Sequence, residues 1–344
     1  MEVSDFEKPW IKSLKAYVPG EKIEGCVKLA SNENNYGPSP KVTARLKDSL
    51  KNIHTYPYKT VEVEKAVAKY AKVKPENIIL GNGSDELISL TTLAFKGPAL
   101  GFTPTFPIYE NATRMLGGEY ESIPLNPDFS FPLDKFLEKS RKANLLFLCS
   151  PNNPSGTVLS EDEVKTVLES GKITVVDEAY FEFCGKSSVK LLKDYPNLIV
   201  LRTFAKAFAL AGLRVGYGVS SPELIQSLKM VKFPFNVNYL AHEAVLAALD
   251  DMDYMNDCVK KIVAGREEIS KRLSEKFRII PSKANFILVD ASPMTSQEFY
   301  DKMLEQKIVV RKFGKIKGFP GDYVRISVGT DKENKKLTGA LEKI

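Results

Sequence analysis

Between residues 41 and 240, short runs of Val, Ile and Leu alternate with stretches whose apolar residues recur every three or four positions. NIIL (77–80), NLLFLCS (144–150), ITVVDEAY (173–180), LIVLRTF (198–204) and VGYGVS (215–220) read as strands, apolar on both faces as buried parallel strands are. SPKVTARLKDSL (39–50), SDELISLTTLAF (84–95), SEDEVKTVLES (160–170) and SPELIQSLKMV (221–231) read as helices, each opening with Ser beside acidic or Pro residues that suit an N-cap. This alternation implies an α/β architecture, a parallel sheet with helices on both faces. Residues 1–40 are polar and irregular and end in the loop-like SNENNYGPSP (31–40), so they read as an N-terminal segment before a large domain at 41–240. A long helical stretch at 238–277, broken near Asp250–Asp253, leads into RIIPSKANFILVD, SQEFYDKMLEQK, IVVRKF, YVRISVG and a last helix. That smaller alternation reads as a second, α+β domain at 241–344.

Composition narrows the classes. The 344 residues are 43% hydrophobic and 27% charged, which is ordinary for a globular enzyme. The net charge of +6 is scattered, with no basic run of the kind that binds nucleic acid. No apolar run approaches the roughly 18 residues of a membrane span, and the N-terminus lacks the apolar core of a signal peptide. Four cysteines without a C-x-x-C spacing suit free thiols in a reducing cytoplasm, and their expected role is structural. With only His54 and His242 present, His-ligated metal sites and Ser-His-Asp chemistry have little to build on, so no metal is expected. Both histidines are expected to serve packing or hydrogen bonding.

Four places carry candidate chemistry. RTFAKAFALAGLRVGY (202–217) sets Lys206 among apolar and small residues, where desolvation favours the neutral, nucleophilic amine. GNGSDELISL (81–90) follows a strand and opens a helix, so the backbone amides of Gly83, Ser84 and Asp85 can point at an anion. It lacks the third glycine of a dinucleotide fingerprint and the Gly-Lys-Ser of a P-loop. CSPNNPSGT (149–157) places the Asn153 amide on a turn just past a strand end, and TVVDEAYFEF (174–183) buries the Asp177 carboxylate at another. Each has a plainer reading alone: a snorkelling lysine, a glycine turn, a tight turn, a helix cap.

Their order changes the weight. GNGSDE, TPTFPIYE, SPNNPSGT, VDEAY, RTFAKAFALAGLRVGY and YVRISVG occur in a sequence that resembles the fold-type I pyridoxal-phosphate aminotransferases, the aspartate aminotransferase superfamily, from about residue 29 to 330. LASNENNYGPSP (29–40), YPYKT (56–60) and two arginine-bearing strands look most like its histidinol-phosphate aminotransferase branch, in class II. The resemblance implies a large domain with a mostly parallel mixed sheet sandwiched by helices, a smaller α+β domain, and pyridoxal 5'-phosphate as cofactor. It implies that Lys206 forms the Schiff base and shuttles a proton as general base and acid. Asp177 would keep the pyridine nitrogen protonated, and Tyr180 and Asn153 would hydrogen-bond the ring's 3-oxygen. Tyr109 would stack on the ring, and Arg214, Thr203 and Ser84, with the Ser84 and Asp85 amides, would hold the phosphate. Tyr56 would reach a neighbouring subunit's phosphate, which implies a homodimer with shared active sites. Arg325 would take a substrate carboxylate bidentately, with Arg311 and Tyr36 near a substrate phosphate.

The implied reaction converts L-histidinol phosphate and 2-oxoglutarate to imidazole acetol phosphate and glutamate. Alternatives on the same fold are an aromatic amino acid aminotransferase and a threonine-phosphate decarboxylase. Two positions depart from the family pattern: Ala205 replaces a serine that donates to the phosphate, and Asn35 stands where proline is usual.

Overall fold

A computed structural model of the protein describes residues 3–14, 20 and 22–344; the other positions of the N-terminal segment, among them part of the stretch read against a signal peptide, lie outside the described residues. In chain order, β1 (Val27–Leu29), α1 (Pro40–Ser49) and α2 (Thr60–Ala71) precede an alternating run. That run comprises β2 (Ile78–Gly81), α3 (Gly83–Ala94), β3 (Ala99–Thr103), α4 (Ile108–Met115), β4 (Tyr120–Pro124), α5 (Leu133–Ser140), β5 (Leu145–Cys149), α6 (Glu161–Leu168), β6 (Ile173–Asp177), the single turn α7 (Phe181–Cys184), β7 (Leu198–Thr203) and β8 (Gly216–Ser220). Then come α8 (Pro222–Val231), α9 (Tyr239–Leu249), α10 (Met252–Ser274), β9 (Arg278–Ile280), β10 (Phe286–Asp290), α11 (Ser296–Glu305), β11 (Ile308–Lys315), β12 (Asp322–Ser327) and α12 (Asp331–Leu341).

The larger sheet has the order β2-β8-β7-β6-β5-β3-β4. Its pairs are parallel except those of β8, which runs antiparallel to both β2 and β7. The short connection between β7 and β8 holds no crossover helix, so the chain has to return antiparallel. β3 and β4 escaped the apolar pattern for different reasons. β3 contains Gly101, where an added Cβ would stand 2.0 Å from the Tyr120 hydroxyl, so this strand gives up a side chain to admit one from β4. β4 lies at the sheet edge and exposes three of its five residues.

The smaller sheet has the order β1-β11-β12-β10-β9, with β1 parallel to β11 and the other pairs antiparallel. Val27–Leu29 lies in the segment read as irregular; three residues carry too little periodicity to announce a strand, and pairing with Ile308–Val310 makes it one. The long helical stretch divides at Asp250–Asp251.

Ser39, Ser160 and Ser221 each accept a hydrogen bond from a first-turn amide and cap α1, α6 and α8. α3 differs. It starts one residue early at Gly83, whose φ of +77° suits glycine, and Asn82 makes no side-chain cap, so Ser84 falls inside the first turn. The consequence is functional, because Ser84 faces the groove at the carboxyl ends of β5, β6 and β7, beneath β1, β11 and β12.

Candidate active site

A cavity of about 340 Å³ occupies that groove. Its wall takes Asn153 from the loop after β5, Asp177 from the end of β6, Thr203 from the end of β7 and Lys206 from the following loop. The smaller sheet supplies Arg311 and Arg325, and the loop after β1 supplies Ser31, Asn32 and Glu33.

Lys206 donates from Nζ to the Ser31 carbonyl at 3.2 Å and stands 5.8 Å from the centre of the Tyr180 ring. Burial, and then the charge of Arg325, pull its ammonium down to about 8, so a sizeable neutral fraction exists near neutral pH. Asp177 is 2% exposed. Burial pushes its carboxyl up to about 6, against the Tyr109 hydroxyl that donates to Oδ2 at 2.7 Å and the Ala179 amide that donates to Oδ1 at 3.0 Å. A nucleophilic amine and a buried carboxylate thus line one cavity. Tyr180, which burial holds above the usual phenol range, accepts from Asn32 Nδ2 at 3.0 Å and sets its ring edge-on to Phe286.

An anion cradle forms the lower end. Arg214 has a left-handed backbone, φ +53°, and pairs through Nη2 with Asp85 Oδ2 at 2.8 Å. A Cβ on Gly83 would stand 2.8 Å from Arg214 Nη2, and one on Gly216 would stand 2.6 Å from the Ser84 amide nitrogen. Both positions therefore require glycine for the arginine and the amide to approach. Thr203 Oγ1 accepts from the Ala205 amide at 3.1 Å and so fixes the start of the lysine loop.

At the upper end, Arg311 and Arg325 face each other across β11 and β12. Like charges directly opposed on a sheet are unfavourable, an arrangement that suits the binding of anions between them. Arg325 is 7% exposed and donates to the Ala30 carbonyl and to Asn153 Oδ1, which ties the smaller sheet to the larger. Lys28 and Glu33 form an ion pair at 3.0 Å on the same wall.

Four residues singled out from the sequence are absent from the cavity wall: Gly83, which lies against Arg214 in the cradle, and three tyrosines. Tyr109 is fully buried behind Asp177, parallel to Phe147 at 5.1 Å, and Phe106 three residues earlier presents the aromatic ring to the cavity. Phe106 lies in the loop before α4 and Tyr109 in its first turn, and the motif alone does not say which faces inward. Tyr36 donates its hydroxyl to Asp331 at 2.9 Å. Tyr56 is 73% exposed and stacks on Phe235 at 4.6 Å. Sequence reasoning passed over Phe106, Asn32 and Glu33. The density of amides in SNEN was the available signal: Asn32 and Asn34 are buried, and their side chains bond to Tyr180 and to the Ala207 carbonyl beside the lysine.

His242 is buried, which pulls it down to about 4, and neither it nor His54 lines the cavity. All four cysteines are unpaired. Among the described residues no cluster of His, Cys, Asp and Glu could hold a metal, and no helix is long and apolar enough to cross a membrane. A larger cavity, about 780 Å³, abuts Glu178 and Arg202 next to the site, but its wall has neither the lysine nor the glycine cradle.

Residues 24–341 match the model of the family described as aminotransferase class I and II. The histidinol-phosphate aminotransferase of Thermococcus gammatolerans is 37% identical over 338 residues, 96% of each chain. Among solved structures, the histidinol-phosphate aminotransferase of Sinorhizobium meliloti in complex with pyridoxal-5'-phosphate superposes with a TM-score of 0.89 at 26% identity, covering 98% of this chain and 97% of that one. The L-threonine-O-3-phosphate decarboxylase of Porphyromonas gingivalis superposes with 0.81 at 25% identity, covering 92% and 98%.

Proposed function

The chain belongs to the aminotransferase class I and II family, and from that premise we propose that it is a pyridoxal-phosphate-dependent enzyme exchanging the amino group of L-histidinol phosphate with 2-oxoglutarate, giving 3-(imidazol-4-yl)-2-oxopropyl phosphate and L-glutamate. The observation that carries the substrate choice is the opposed pair Arg311 and Arg325 on the wall that also holds Lys206. One cavity has to accept a carboxylate from one substrate and a phosphate monoester from the other. Guanidinium forks serve both anions, and an apolar pocket would reject both.

The residues present fit the cofactor. The glycine-backed cradle of Ser84, Asp85 and Arg214, with Thr203, suits a phosphate; Asp177 suits a pyridine nitrogen; Tyr180 and Asn153 suit a phenolic oxygen; and Lys206 suits an aldehyde. When bound, pyridoxal phosphate supplies an electron sink for the pair left at the substrate Cα. Lys206 Nζ, neutral in part at physiological pH, takes the proton from Cα and later returns it. Asp177 keeps a proton on the ring nitrogen, and the Tyr109 hydroxyl orients that carboxylate. Arg325 binds the carboxylate of glutamate, and Arg311 binds the phosphate of the other substrate, with Tyr36 assigned to the same end.

Tyr56 completes the phosphate site of a second copy of the chain. It is exposed and stacks on the exposed Phe235, and a homodimer with shared active sites covers that aromatic pair. The cytoplasm is the compartment that suits the four free thiols.

The test is kcat/KM for histidinol phosphate against phenylalanine and tyrosine, in the wild type and in Arg311→Ala. Histidinol phosphate should lead in the wild type and lose its lead in the variant. Aromatic amino acids leading in the wild type would leave the transaminase and remove the substrate. Failure of every amino donor to convert the bound cofactor to its amine form would favour a decarboxylase.

A further inference from the structure

We propose that the buried ion pair of Glu178 and Arg202 is a positioning device, a strap behind the site that holds the ends of β6 and β7 in the register that sets Asp177 against Lys206. The inference rests on the aminotransferase reading of the front of those strands. Successive side chains on a strand point to opposite faces. Asp177 and Thr203 line the active cavity, while their chain neighbours Glu178 and Arg202 line the larger cavity; Glu178 is absent from the active-site wall, and so is Arg202.

The two are 2% and 3% exposed. Arg202 donates to Glu178 Oε2 through Nε at 3.0 Å and Nη2 at 2.9 Å, and the Ser188 amide donates to Oε1 at 2.5 Å. Arg202 also donates to the Tyr217 hydroxyl on β8 at 3.3 Å and to Ser187 Oγ, and its guanidinium lies 3.5 Å from the centre of the Phe181 ring. The Glu178 amide donates to the Leu201 carbonyl at 2.8 Å. Three adjacent strands, and the turn that carries Tyr180, are therefore joined by one planar group.

Stability alone is a weak reason for such a pair, because the desolvation of two charges cancels much of their attraction and apolar replacements often fold as well. What the planar fork supplies is direction. A displacement of about 1 Å between groups that act on one substrate costs on the order of a hundredfold in rate.

The decisive variant is Glu178→Leu with Arg202→Met, which removes both charges and keeps the volume. It should fold with a thermal midpoint near that of the wild type and bind pyridoxal phosphate. Its kcat with glutamate should fall at least about tenfold while KM changes less than about threefold. The pH midpoint of the visible band of the bound cofactor should move by about half a unit or more, a readout independent of turnover. A double variant with wild-type kcat and an unmoved midpoint overturns the strap. Should the double variant fail to fold, Glu178→Gln, which keeps one hydrogen bond, is read by the same two measurements, and an unmoved midpoint again overturns it. A wild-type protein with no visible band on adding pyridoxal phosphate sinks the aminotransferase reading instead.

Discussion

The depressed basicity of Lys206 gives the sharpest quantitative test. Its ammonium lies at about 8 instead of the usual 10.5, with burial as the larger cause and Arg325 as the next. At pH 7.5 an amine of pKa 8 is neutral in about a quarter of molecules, and one of pKa 10.5 in about one in a thousand, a gain of a few hundredfold in nucleophile. The perturbation is pH, applied to cofactor-free protein, and the assay is the rate at which added pyridoxal generates its visible band. Pyridoxal lacks the phosphate, so phosphate ionisation does not enter. The rate should rise through a midpoint near 8, and Lys206→Met should give no band. Arg325→Leu should move the midpoint up, by less than about one unit because burial is the larger share. The same shift costs stability. A lowered lysine opposes folding below its folded pKa, and the cost fades as pH rises from about 8 toward 10.5. Lys206→Met should therefore raise the thermal midpoint at pH 7 and gain little at pH 11. The gain is at most about 3 kcal/mol, and less because the side chain is partly solvated. A wild-type midpoint of 10 or above would refute the burial argument.

Asp177→Asn should abolish most activity yet stabilise the cofactor-free protein at pH 8, because a carboxyl raised from 3.8 to about 6 opposes folding fully above pH 6 and not below about 4; differential scanning calorimetry at pH 8 and pH 4 reads a gain of up to about 3 kcal/mol at the higher pH alone. Tyr109→Phe removes the 2.7 Å donor to Asp177, so kcat should drop about tenfold with unchanged KM for glutamate, and an unchanged kcat would show that the Ala179 amide orients the carboxylate by itself. Ala205→Ser places a hydroxyl on the cavity wall beside Thr203 and should tighten cofactor binding by about one decade in equilibrium dialysis; no change would mean that Ser84, Thr203 and Arg214 already saturate the phosphate.

Local pattern by itself determined the larger α/β unit and the polar groups at its strand ends. Val- and Ile-rich runs report burial on both faces, serines before apolar helical runs report caps, and an isolated lysine in apolar sequence reports a displaced pKa, all of them properties of a residue and its near neighbours. The order of GNGSDE, SPNNPSGT, VDEAY and the lysine segment carried the family. Partnership was not legible, because periodicity records that a side chain is buried and not what it meets. Val27–Leu29 becomes a strand only through Ile308–Val310, and β8 turns antiparallel because its connection is short. Tyr109 and Phe106 lie three positions apart, and packing on Phe147 takes the first behind Asp177 and leaves the second at the cavity. Arg202 drew no notice in a strand of apolar residues, since its partner Glu178 lies 24 positions away and only the parallel register of β6 and β7 brings the two side chains together on the back of the sheet.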